Sequence, residues 1–164
     1  VERVTASVEL ATDRPAHGRK CLRLEVGSDA NGSLPLPAGD CPAWVTTPST
    51  ELTAGQLVEV TGWVRVESPG RSVPARLIIS DTLGGEQLGR VVEPTDDWRP
   101  FRLLRRAPRD AELRVTFGLS GVGAGYVDAV MIRPVRVGAT PTPPARLSPI
   151  APVAAKSDDA AQRK

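Results

Sequence analysis

Residues 56–66 read Gln-Leu-Val-Glu-Val-Thr-Gly-Trp-Val-Arg-Val, and this alternation limits the fold more than any other stretch of the chain. Val58, Val60, Val64 and Val66 fall on one face with Gly62 among them, while Leu57, Glu59, Thr61, Trp63 and Arg65 fall on the other. A period of two with β-branched residues on one side specifies a strand with one buried face; a helix would scatter the valines around its circumference. The opposite face sets a Trp among Glu, Thr and Arg. Such a face suits a sugar platform, and equally a strand lying under a loop.

The same alternation recurs along the chain. Strands are expected over 4–12, 20–26, 44–47, 75–81, 88–93, 101–105, 113–120 and 126–133, beside the central one. The clearest of these buries Leu113, Val115, Phe117 and Leu119. With 15 glycines and 16 prolines in 164 residues, there is little room for long helices. About nine strands at spacings of roughly 8 to 14 residues, without helical period between them, predict an all-β antiparallel two-sheet β-sandwich, or jelly roll. The domain is expected to span 1–136. Beyond it, 137–164 is rich in Pro and Ala, then charged and poor in large apolar residues, which predicts a disordered C-terminal tail or linker.

The formal net charge of +2 is too small to argue for nucleic acid or an anionic membrane as partner. Arg102, Arg105, Arg106 and Arg109 form the densest basic group, which suits a solvated strand and turn better than a phosphate patch. No apolar run approaches the roughly 20 residues of a membrane span. The chain opens on Val1, so it reads as a piece of a longer protein. Cys21 and Cys41 flank expected strand ends. A bridge would close a loop of about 20 residues and contribute about 3 kcal/mol in the chain-entropy model. Two independent thiols fit the sequence as well. Asn31-Gly32-Ser33 matches a glycosylation acceptor, a triplet common by chance.

Catalytic patterns are weak. His17 is the single histidine and sits in a Pro-Gly turn, and no nucleophile elbow accompanies it. The glycine run 121–125 leads into a strand, so it lacks the helix N-terminus that would cradle phosphate. Asp81, Glu86 and Glu93 could face one another as a glycosidase pair, although polar turn and outward strand positions explain each.

Four pieces carry a resemblance to a known group. They are residues 16–24 (Ala-His-Gly-Arg-Lys-Cys-Leu-Arg-Leu), residues 52–56 running into Val-Thr-Gly-Trp-Val-Arg at 60–65, Asp-Trp-Arg-Pro-Phe at 97–101, and Gly-Tyr-Val-Asp-Ala-Val at 125–130. In order and spacing they resemble the galactose-binding-like jelly rolls, in particular carbohydrate-binding modules of the cellulose- and xylan-binding group. The resemblance spans about residues 4 to 134 and departs from the group's pattern at His17 and at Ala129. It implies a noncatalytic module binding a polysaccharide or oligosaccharide within a larger extracellular or cell-envelope protein. It also implies a structural calcium near the first turn and last strand, for which Asp128 matches the usual carboxylate; Glu2 and Glu9 match a second acidic ligand poorly. Sugar recognition needs a ring to stack on a pyranose and polar groups for its hydroxyls. Trp63 and Trp44 are the candidate rings, and Glu59, Thr61 and Arg65 the candidate polar contacts. Phe101, Phe117 and Trp98 are assigned to packing. The alternative is a structural or protein-contact sandwich without a sugar site, and a small glycoside hydrolase is the third reading.

Overall fold

The computed structural model describes residues 4–28, 41–69 and 73–135. The tail at 137–164, Glu2, Asn31-Gly32-Ser33 and most of the long loop at 27–42 lie outside them. The described chain forms β1 (Val4–Ala11), β2 (Cys21–Ser28), β3 (Ala43–Thr46), β4 (Thr50–Leu52), β5 (Leu57–Glu67), β6 (Arg76–Asp81), β7 (Gly85–Val92), β8 (Arg99–Arg106), β9 (Ala111–Leu113), β10 (Val115–Ser120) and β11 (Gly123–Pro134). One sheet has the order β1-β2-β11-β5-β8, a second β3-β10-β6-β7, and β4 pairs with β9. The strand pairs are antiparallel throughout.

The two larger sheets face each other across one core. Val58, Val60, Val64 and Val66 of β5 are each at most 1% exposed, as their phase predicts. They pack in one cluster with Leu24 and Val26 of β2, Leu77 and Ile79 of β6, and Phe117 and Leu119 of β10. Burying a valine side chain contributes about 1.5 kcal/mol relative to leaving it exposed. Gly62 interrupts the valine row because Phe101 fills its place: a Cβ on Gly62 would stand 2.6 Å from the Phe101 ring. Phe101 meets Phe117 edge to face across the sandwich, with ring centroids 5.8 Å apart.

Three expectations change. The described residues carry eleven strands rather than about nine, since the short β4 has no alternation long enough to read. The run at 113–120 is two strands: β9 pairs with β4, while β10 enters the four-stranded sheet. The break falls at Arg114, whose backbone N–H donates to the Thr82 hydroxyl instead of to a ladder partner. The glycine segment read as a turn supplies the start of β11, leaving the turn at Gly121 (φ 76°), where a Cβ would lie 2.3 Å from the Pro74 carbonyl oxygen. Edge position explains β1, where Val8 and Leu10 are 41% and 67% exposed.

Asp81 is buried, contrary to its reading as a polar turn or outward strand position. It shares the phase of Leu77 and Ile79, and turns its carboxylate to the backbone N–H groups of Leu83 and Gly84, at 3.0 and 2.7 Å. Arg105 Nε donates to its other oxygen at 2.8 Å and Nη2 donates to the Leu88 carbonyl, so β8 of one sheet is tied to β6 and β7 of the other. Removing one partner strands a buried charge. Asp81→Ala is therefore expected to cost about 3 to 5 kcal/mol in guanidinium chloride unfolding, and a loss below about 1 kcal/mol would show that the pair does not hold the sheets.

Candidate functional site

Strand phase sorts the candidate residues onto two different surfaces. Glu59, Thr61 and Trp63 lie on the outer face of the five-stranded sheet. Trp44 lies on the outer face of the four-stranded sheet, because it pairs with Gly118 between the inward residues Phe117 and Leu119. The two tryptophans therefore do not form one platform.

Trp44 is 61% exposed and borders a groove of about 320 Å³. The floor comes from one cross-strand row: Trp44, Gly118, Ile78 and Val91 are successive register partners on β3, β10, β6 and β7. The next row is Thr46, Thr116 and Ser80, with the Thr46 and Thr116 hydroxyls 2.9 Å apart. Glu86 reaches the same groove from β7. Glycine at 118 is required here, since a Cβ would stand 2.8 Å from Cys41 Sγ. The groove thus sets an open indole beside an apolar floor, a row of hydroxyls and one carboxylate.

Trp63 is half-buried, and the His17 ring meets it edge on at 5.6 Å. Together with Thr61, Arg90, Arg102 and the β11 bulge at Ala129, they border a second cavity of about 520 Å³. Glu59 is engaged by Arg102 and, at 3.6 Å, by Arg133. Arg65 is placed differently. It is 1% exposed, with its guanidinium carbon 4.2 Å from the Tyr126 ring centroid and 5.5 Å from that of Trp98. Glu67 stands 3.0 Å from Arg65 Nη1, an ion pair whose N–H directions miss hydrogen-bond alignment. Arg65 is a structural cation between two rings, closed off from a ligand's hydroxyls. Its register partner is Tyr126, from a strand too distant in sequence for alternation alone to reveal the cover.

Asp128 shapes the second cavity. Its Oδ2 accepts the His17 backbone N–H at 2.7 Å and its Oδ1 accepts the Ala129 backbone N–H at 2.6 Å. Ala129 has φ 49°, a left-handed value uncommon for a residue with a Cβ, and it forms the bulge between Asp128 and Met131. The carboxylate thus fixes both the first turn and the bulge. A calcium would need six to eight oxygens. Among the described residues no group of three or more His, Cys, Asp and Glu side chains is placed to hold a metal, and Glu9 is engaged by Arg23. Asp128 caps the first turn and the bulge through both of its carboxylate oxygens.

The other candidates separate as well. Of the three carboxylates weighed as a glycosidase pair, Asp81 is buried under Arg105, Glu93 is ion-paired with Arg76 at 3.0 Å, and Glu86 lines the Trp44 groove. Arg105, read as solvated, is half-buried on Asp81. Cys21 and Cys41 are not bridged. Cys21 packs with Ala124 and Tyr126 on the five-stranded sheet, while Cys41 lies over Gly118 on the four-stranded one.

Burial pushes the Tyr126 phenol above its ordinary range, and the neighbouring Glu67 carboxylate, 3.2 Å from the hydroxyl, adds to the shift. Burial also raises the Cys21 thiol, with Asp128 next in weight. Raised acid groups hold their protons more tightly when folded. Their contribution is complete below the unfolded values and is lost as pH rises through the folded ones. Urea unfolding is expected to show stability falling above about pH 9, by at most about 1.4 kcal/mol per pH unit for each group. Tyr126→Phe should flatten the part of the slope above about pH 10, and an unchanged slope would remove Tyr126 as its source.

No protein-family model and no curated protein matches the chain. Solved structures do. The chain is similar to the enzymatically active domain of tailspike protein 4 of bacteriophage CBA120, at TM-score 0.51 and 12% identity over 82% of this chain, which spans 19% of that one. It is similar to the CBM22-1 xylan-binding domain of Paenibacillus barcinonensis Xyn10C, at TM-score 0.47 and 12% identity over 82% of this chain and 87% of that one. The structure described as TmCBM61 in complex with beta-1,4-galactotriose compares at TM-score 0.46 and 15% identity over 82% and 88%. At such identities the likeness concerns fold alone: the chain is an all-β sandwich of jelly-roll type.

Proposed function

We propose that this domain is a noncatalytic carbohydrate-binding module, an accessory part of a larger extracellular or cell-envelope protein, and that its sugar lies across the outer face of the four-stranded sheet. The observation that carries the reading is Trp44: an indole 61% exposed in a chain with three tryptophans, set in line with Gly118, Ile78 and Val91 and beside the Thr46–Thr116–Ser80 row. The ring offers its face to a pyranose. Gly118 leaves room for Cys41, which lines the groove beside the ring, and the hydroxyls and Glu86 supply donors and acceptors for sugar hydroxyls. The four motifs quoted above support the same assignment.

The second reading, a protein-contact module, draws on β1. Among the described residues this edge strand has one backbone side unpaired, and it exposes Val4, Val8 and Leu10, features that favour strand addition by another chain. One variant separates the two. In calorimetric titration against xylo-, cello- and β-1,4-galacto-oligosaccharides, Trp44→Ala is expected to weaken binding at least tenfold, about 1.4 kcal/mol, while unfolding stability changes by less than about 1 kcal/mol. Binding that survives the substitution would place the sugar elsewhere, and no binding to any member of the panel would favour the protein-contact reading.

A further inference from the structure

The cavity at Trp63 lies on the sheet opposite the Trp44 groove and has a different chemistry. Its ring is Trp63, backed edge on by His17. Its cations are Arg102 from β8 and Arg90 from β7 of the other sheet. Arg102 shares Glu59 with Arg133, so one carboxylate faces two guanidinium groups there. Arg90 is exposed and, among the described residues, has no ion pair or hydrogen bond of its side chain. The negative charge nearest the bulge is Asp128, and each of its oxygens accepts a backbone N–H. Thr61 borders the cavity, but its Oγ1 is buried without a hydrogen-bond partner, turned into the sheet and away from the opening.

We propose that this cavity is a second binding site, for an acidic sugar: a uronic acid residue whose carboxylate meets Arg90 and whose ring packs on Trp63. A planar guanidinium matches a carboxylate in two parallel N–H···O bonds, which a neutral sugar cannot reproduce. The saccharide part of the assignment rests on the carbohydrate-binding reading above, and the anionic part rests on the cavity alone. With two faces of unlike chemistry, the domain can hold a neutral backbone on one sheet and an acidic residue on the other.

The test titrates the whole chain with trigalacturonate and triglucuronate, with their methyl esters, and with the neutral oligosaccharides, in low salt. At least one free acid is expected to bind saturably and at least tenfold more tightly than its ester. Arg90→Ala should weaken that binding at least tenfold, whereas Arg109→Ala, which removes the same charge from a turn, and Trp44→Ala should leave it within twofold. Neutral-sugar binding should respond in the opposite way, falling in Trp44→Ala and holding in Arg90→Ala. Absence of saturation with both acids, equal affinity for acid and ester, an equal loss in Arg109→Ala, or loss of acid binding in Trp44→Ala would each overturn the second site, and the neutral-sugar arm would still report on the groove.

Discussion

The sandwich depends on the burial of one face of β5. Val58, Val60, Val64 and Val66 meet Leu77, Ile79, Phe117 and Leu119 from the opposing sheet in a single cluster. Strand geometry then leaves no freedom. With a period of two, an inward Val64 forces Trp63 outward, and an inward Phe117 forces Gly118 and its partner Trp44 outward on the far side. A one-residue slip would bring Trp44 into the core and expose Ala43, so the apolar pattern that stabilises the fold also positions both candidate surfaces.

Polar groups complete the arrangement at the places where alternation ends. Asp81 and Arg105 tie the sheets together near the β6–β7 turn. Asp128 holds the first turn against the β11 bulge through two backbone amides. Arg65 fills a gap between Trp98 and Tyr126 that a neutral side chain of the same length would not stabilise through ring quadrupoles. Each is a charged residue spent on structure. The rows at Trp44 and at Trp63 are the two surfaces we propose for recognition.

Much of this was legible in the sequence. Alternation gave the strand phases, the valine row and the outward position of Trp63, and the Gly and Pro density excluded long helices. The limits have physical causes. Sheet membership is set by pairing between strands far apart in sequence, so nothing local separates Trp44 from Trp63 or covers Arg65 with Tyr126. The break at Arg114 depends on a hydroxyl from Thr82, some thirty residues away. Asp81 is the instructive miss: its phase with Leu77 and Ile79 predicts burial, and its charge argued against it until Arg105 was in place. Trp44 was signalled only by its position after a long loop, since four residues of β3 are too few to fix a phase with assurance.

The central claim is that the open indole of Trp44, on the four-stranded sheet, is where a neutral sugar stacks. A two-dimensional proton–nitrogen spectrum tests it directly, because the chain has three tryptophans and hence three indole N–H signals. On titration with a neutral oligosaccharide that binds, the account predicts that the Trp44 indole signal and the amides of β3, β10, β6 and β7 shift, while the Trp63 and Trp98 indole signals stay in place. Saturable shifts confined to Trp63, His17 and the β11 bulge, with Trp44 unmoved, would contradict it.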